Sequence, residues 1–337
     1  MTSTAPSRIA SPTFDALADD WQRIYDSMPS SSAFDSLEWN RIWWEHFGGD
    51  SKLMLRSVLR ANGTTAIIAP LRLDSNNDEG VCTFLGGTDL VDYLGFKHDA
   101  ELRSEDVQDL LQSLYDDPEI TALVLESLPE DSHTIHAVKE AAEGIGWEVH
   151  IWDEGVAPRI ALPSSQEEYF SSLTKKHRHE LRRKLRRLYN AGDVEQIEYK
   201  SPNEVADRMS DFIDLHRGSS IDKQEFMTVE RERFFHEVAV TLAEKDVTRL
   251  YFLTLNGEDV ATSIAFKIGA TKYLYNSGYV PERSWLAVGL LNHAINILAS
   301  IDEGIKVYDF MRGDERYKYH LGAVDRRIYT VRLDKRQ

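Results

Sequence analysis

The side chains best suited to chemistry crowd into ten residues near the C-terminus: Asp309, Arg312, Gly313, Asp314, Tyr317 and Lys318. Transfer of an acyl group to an amine or hydroxyl needs a group to take a proton and a cation or N–H to steady the oxyanion that forms. Asp309, at the end of an apolar run over 305–310, is the first candidate for base or acceptor anchor. Asp314 is the second, with a helix cap before Glu315 as its competing role. Lys318 and Arg312 are candidates for holding the oxyanion or a donor phosphate, and backbone N–H groups near Gly278 are a further source of donors. Tyr317 is read as a substrate contact, with core packing as the alternative.

Just upstream, Ser284-Trp285-Leu286-Ala287-Val288-Gly289-Leu290-Leu291 opens a helix with no acid at its start. The first four N–H groups of a helix have no internal acceptor and carry partial positive charge. The amides of Ala287, Val288, Gly289, Leu290 and Leu291 are therefore a candidate phosphate seat, and Gly289 lets a ligand come close to the backbone. A glycine kept for packing is the plain alternative. The anion seat, the strand and the polar cluster together point to a transferase with a phosphate-bearing donor.

A third feature is the basic segment Lys175–Arg187, with eight Lys or Arg in thirteen residues and one acid, Glu180. Phe170, Leu173, Leu181, Leu185 and Leu188 recur at helical spacing along it, so an amphipathic helix is expected. Its charge suits a solvated face, or recognition of a cofactor phosphate, a transfer RNA, an anionic polymer or a membrane surface. No aromatic interrupts it, so it offers no stacking platform for bases.

The whole chain of 337 residues carries a net charge of −17, which argues against nonspecific nucleic-acid binding by the surface at large. Cys82 is the only cysteine and lies in a strand-like run, so no internal disulfide forms, and a cytoplasmic location is expected. No apolar run is long enough to span a membrane, and the N-terminus reads as a mobile tail, residues 1–12, without a secretion signal. His216, His293 and His320 are possible proton carriers. No spacing marks a metal site: His133 and His136 stand three apart without further ligands nearby.

The pattern of elements repeats. Leu59-Arg60-Ala61-Asn62-Gly63-Thr64 and Leu253-Thr254-Leu255-Asn256-Gly257-Glu258 are both hairpin signals, and the elements after each keep step. An internal duplication follows, with domains at 13–163 and 164–337. In the first half the matching helix opens Arg103-Ser104-Glu105-Asp106, and two carboxylates there would repel a pyrophosphate. The donor site is accordingly expected in the second half.

The runs KKHRHELRRKLRRL, LYNSGYVPE, AVGLLNHAI and YDFMRGDERYKYHLGA, together with FDSLEWNRIWWEHFG and FLGGTDLVDYLGF, resemble the Fem-type branch of the GCN5-related N-acetyltransferase (GNAT) superfamily. The likeness extends to acetyltransferase-like proteins linked to cellulose or exopolysaccharide biosynthesis. It implies an α/β fold, an α+β arrangement with mixed sheets, built as tandem duplicated GNAT-like domains. It also implies an acyl-CoA donor such as acetyl-CoA, with pantetheine along the strand 272–280 that ends near Tyr279 and pyrophosphate on the amides of 287–291. No metal is implied. The acceptor would be a small molecule or saccharide, a sugar or cell-envelope precursor, held in part by Asp92 and Tyr93. Fem-type relatives use aminoacyl-transfer RNA instead of a thioester, which is the alternative donor. A non-catalytic module binding an anionic polymer is the third reading.

Overall fold

The computed structural model describes residues 8–28, 31–74 and 80–336. It divides into two compact units, residues 1–155 with 327–337 and residues 156–326. In the first unit, strand β1 (Arg8–Ala10) precedes helices α1 (Phe14–Ser27) and α2 (Leu37–Phe47). Strands β2 (Lys52–Leu59), β3 (Thr65–Leu73), β4 (Val81–Phe84) and β5 (Lys97–His98) follow. Helix α3 (Ser104–Tyr115), β6 (Ala122–Pro129), α4 (His133–Ile145) and β7 (Trp147–Val156) complete this run.

The second unit opens with β8 (Arg159–Ala161), α5 (Gln166–Ser172), α6 (Lys175–Tyr189) and β9 (Val194–Tyr199). Three helices, α7 (Pro202–Gly218), α8 (Ile221–Phe226) and α9 (Val229–Glu244), lead to β10 (Thr248–Leu255), β11 (Glu258–Ile268) and β12 (Thr271–Tyr279). Then come α10 (Val288–Asp302), β13 (Val307–Asp309) and α11 (Arg316–His320). The last strand, β14 (Arg327–Lys335), returns to the first unit.

The first sheet runs β1-β2-β3-β4-β6-β14-β7 with β5 beside β3, and the second runs β8-β13-β12-β11-β10-β9. In both, an antiparallel hairpin carries a third antiparallel strand, a helix follows, and the next strand lies parallel to the third. The expected mixed α/β fold and its tandem duplication are therefore present. Two details of the expected domain division differ. The chain end 327–335 sits between β6 and β7, and β8 at 159–161 pairs with β13, so hydrogen bonding moves both segments out of the halves that sequence order gave them. Part of the expected tail is also a strand, because Arg8, Ile9 and Ala10 pair with Leu59, Val58 and Ser57; residues 1–7 lie outside the described residues.

Local chemistry accounts for the second unit's elements. Ser201 caps α7 and is answered by Glu204 in a reciprocal capping box, with Pro202 at the first helical position. Strand β10 is buried throughout and reads as a continuous apolar-rich run, as expected for a central strand. Helix α10 is apolar on nearly every face and packs Val288, Leu291, Ala294, Ile297 and Ile301 into the core under the sheet. The basic segment is helical but separate from α5: Leu173 is extended, and the Thr174 hydroxyl caps α6 by accepting from His177 N–H at 3.2 Å. Phe170 and Leu173 thus lie before the break rather than on the same helix.

Strand β12 positions the site. It pairs with β11 along its whole length but with β13 only over Thr271, Lys272 and Tyr273. A register shift makes Tyr275 an extra residue against β11, which bends the strand there. Beyond the bend, Gly278 lies against the α7 backbone: an added Cβ would stand 2.6 Å from atoms of Leu215 and His216. Gly278→Ala is therefore expected to push the strand off α7 and cost about 2 kcal/mol. Urea unfolding measures this, and an unchanged midpoint would show that the contact has slack.

Candidate active site

The uncapped helix end is where the sequence places it. The residue before α10 is Ala287, in the left-handed region at φ 59°, which has no side chain able to cap, and the first turn holds no acid. Among the described residues no side chain accepts from the amides of Val288, Gly289 or Leu290. Val288 and Leu291 turn their side chains into the core, so these residues can offer a ligand only their backbone. Tyr279 faces Gly289 closely enough that a Cβ there would approach its ring to 3.1 Å. In the first unit the equivalent helix end carries acids, Glu105 and Asp106. Asp106 of α3 accepts from Arg103 N–H at 3.4 Å and from Arg60 at 2.6 Å, and Arg60 also reaches Asp99 at 2.7 Å.

Beside the opened part of β12 stand Lys223, which the sequence did not single out, and His216, one of the possible proton carriers it did. Lys223 of α8 donates from Nζ to the Ser277 carbonyl at 2.5 Å, beyond the point where β13 leaves. Burial lowers the Lys223 pKa, and Glu315 works in the opposite direction. Next to it, His216 Nε2 lies 2.9 Å from Asn276 Oδ1, while its Nδ1 is buried and unpartnered. Burial first, then Lys223, brings the His216 pKa down to about 4. His293 of α10 is buried, with an unpartnered Nδ1 and its ring stacked on Tyr317 at 5.3 Å. Burial, with Lys223 and Lys318 adding to it, brings its pKa down to about 3. Both imidazoles are neutral at ordinary pH. Lys223 sits on a six-residue helix with no periodic pattern, so no signal at the sequence level marks it.

The C-terminal polar cluster is mostly a clamp. Lys318 is 1% exposed, and its Nζ donates to the carbonyls of Met311 at 3.1 Å, Arg312 at 2.7 Å and Gly313 at 2.9 Å. It also pairs with Glu315 at 2.8 Å. An ammonium has three hydrogens, and all are engaged, so Lys318 has none left for an oxyanion. Asp309 is likewise 1% exposed: Oδ1 accepts from Met311 N–H at 2.8 Å and Oδ2 lies 3.9 Å from Arg326. It pins the start of the loop instead of facing open space. Asp314 is exposed and is not the helix cap, since that position falls to Glu315. Arg312 is half-buried, and its carbonyl serves the Lys318 clamp. Tyr317 packs edge-on against Phe310, and burial raises the pKa of its hydroxyl.

Asp92 and Tyr93 belong to the first unit; Tyr93 is buried, edge-on to Phe34 at 6.4 Å, and Asp92 is half-buried. Cys82 is buried and its thiol is pushed up to about 12 by burial, so it is inert as a nucleophile. His320 lies beside His177, with ring centres 4.8 Å apart. Among the described residues no group of three or more metal-ligating side chains comes together. Nor is any helix long and apolar enough to cross a membrane.

Two outcomes test this reading. Lys318→Met strands three loop carbonyls and is expected to cost about 3 kcal/mol of stability; a variant as stable as the parent would return Lys318 to the list of chemical groups. For His293, the unfolded chain takes up a proton near pH 6.5 that the folded chain refuses down to about 3. Stability should therefore fall as pH drops from 6.5 to 4, by on the order of 3 kcal/mol from this residue. His293→Phe keeps the stacked ring and should flatten that acid limb in melts recorded across the range; an unaltered limb would contradict the assignment.

Residues 175–319 match the model of the acetyltransferase (GNAT) domain. No curated protein matches. Among solved structures, the chain is similar to FemX, at 11% identity and TM-score 0.61, over 96% of each chain. It is similar to L-PGS from Bacillus licheniformis, at 10% identity and TM-score 0.57, over 93% of this chain and 90% of that one. A tandem GNAT protein from the clavulanic acid biosynthesis pathway matches at 13% identity and TM-score 0.50, over 96% of this chain and 98% of that one. At these identities the structural likenesses speak for the fold, while the domain match speaks for the activity. Residues 175–319, inside the second unit, match a GNAT acetyltransferase domain, the mixed α/β fold of the chain is like that of the tandem GNAT protein, and the protein is an acyltransferase.

Proposed function

We propose that the protein moves an acyl group from coenzyme A to an amine or hydroxyl of a small acceptor, of the sugar or cell-envelope precursor class. One observation carries the donor reading: β12 loses its neighbour after Tyr273 and runs on to an uncapped helix end. An open strand edge inside a fold leaves backbone groups without partners, which is costly unless something pairs with them. A pantetheine arm has two amides that can do so, and its pyrophosphate then meets the amides of 287–291.

In this reading the acceptor's nitrogen or oxygen attacks the thioester carbonyl, the carbon–sulfur bond breaks, and the acceptor's proton leaves. Lys223 lies beside the opened strand and carries the charge that steadies the oxyanion or the departing thiolate. Asp309 and Lys318 act as positioning residues through the loop they fix. Asp314, exposed on the loop after β13, is the carboxylate assigned here to take the acceptor's proton. A non-catalytic module is set aside by the acetyltransferase domain match.

The second reading, an aminoacyl-transfer RNA donor, draws on α6, a basic helix that packs beside α10 and the turn Pro281–Leu286. Loss of RNA binding when Arg182, Arg183, Arg186 and Arg187 become Ser, without acetyl-CoA binding by the parent, would favour it. The test of the leading reading uses two variants. Ala287→Asp suits the left-handed backbone and sets a carboxylate at the amide seat. It should weaken acetyl-CoA binding at least about tenfold in titration calorimetry with the melting temperature held. Lys223→Gln should instead leave binding nearly intact and lower kcat by about a hundredfold or more. Unchanged affinity in the first variant, or unchanged turnover in the second, would sink the corresponding assignment.

A further inference from the structure

Beside the first turn of α10, a cavity of about 210 Å³ opens between α6 and α11. Its walls carry Lys176, Lys184 and Arg316 with the imidazoles of His177 and His320, and Leu181, Leu290 and Leu321 complete them. The one acid there, Glu180, is already held by Arg183 at 2.7 Å as well as by Lys184 at 3.7 Å. Its charge is thus shared outward, and the cavity keeps an excess of positive groups. Leucine walls lower the local dielectric and strengthen the mutual repulsion of those groups. Five cationic or proton-binding side chains line this one hollow, with Lys184, His177 and His320 half-buried and Lys176 and Arg316 exposed. The repulsion is visible at His320: burial lowers its pKa, and His177, Arg316, Lys184 and Lys176 all add to the effect.

Leu290 belongs both to this cavity and to the first turn that offers free amides. A donor whose pyrophosphate sits on those amides would have the rest of its nucleotide close to the hollow. We propose that this cavity binds the 3′-phosphate of coenzyme A, a phosphate monoester dianion, through Lys176, Lys184 and Arg316 with N–H donors from His177 and His320. The proposal rests on the acyl-CoA reading above. It adds a subsite built by α6, the basic helix that precedes the strand β9, and so gives that helix a small-molecule role.

The test compares acetyl-CoA with its 3′-dephospho analogue by titration calorimetry on the full chain. The parent should bind acetyl-CoA more tightly by about tenfold or more, as charge-assisted phosphate contacts imply. The double variant Lys184→Gln, Arg316→Gln should bring the two affinities together while keeping the parent's affinity for the dephospho analogue, which also reports that it folds. Equal affinities in the parent would overturn the subsite and leave the acyl-CoA reading standing. Binding of neither thioester would overturn both. An RNA hairpin ending in CCA that binds the parent and is lost in the double variant, with no discrimination between the thioesters, would assign the cavity to RNA instead.

Discussion

Three residue pairs hold β12 to β13, and then the ladder stops. The donor site proposed for the second unit depends on the two strands staying parted. Backbone groups left open in a protein interior favour closure, so the separation has to be enforced. On the β12 side, the bulge at Tyr275 bends the strand, and Gly278 anchors it to α7 where no side chain would fit. On the β13 side, Asp309 turns the chain away at once, because its carboxylate captures the N–H of Met311, a residue in the left-handed region at φ 61°.

The loop after β13 is shaped from inside. Three consecutive carbonyls, from Met311, Arg312 and Gly313, converge on the Lys318 ammonium, and Tyr169 adds a hydroxyl to the Leu321 carbonyl just beyond. A loop tied to one buried cation cannot relax toward β12 without stranding that charge, and stranding a buried charge is among the more destabilising things a protein can do. The motif that looks most chemical in the sequence is thus the one that keeps the cleft open. Lys223, the residue proposed to carry the chemistry, touches the parted strand directly.

How much of this was legible follows from the range of each interaction. Hairpins at Asn62-Gly63 and Asn256-Gly257 were readable because the turn itself demands positive φ, 82° at Gly63 and 80° at Gly257. The uncapped end of α10 was readable because a missing acid is a local fact. The clamp was not, since Asp, Lys and Gly in a row look alike whether they face a substrate or each other. The placement of β14 was hidden for a different reason: nothing in Arg327–Lys335 says that its partner is β6, some two hundred residues earlier. Strand β9 was missed because its alternating acids, as in Val194-Glu195-Gln196-Ile197-Glu198, mask a half-buried edge.

The two units show what a duplicated fold gains by dividing its roles. Their strands and helices follow one order, yet at the helix end that could hold a phosphate they differ by a few charged side chains. In the first unit Asp106 stands at that end, where it accepts from the Arg103 N–H and pairs with Arg60, which also holds Asp99, so a carboxylate already occupies it. In the second unit the same end is left to a ligand, and a cationic helix is set next to it in a chain whose net charge is −17. An acidic surface repels anions except where positive charge is gathered, so in the acyl-CoA reading the remaining surface would steer the donor by exclusion as much as α6 does by attraction. The internal acid of the first unit and the missing acid of the second therefore set two like-built helix ends apart, and in the proposed reading only the second accepts the donor.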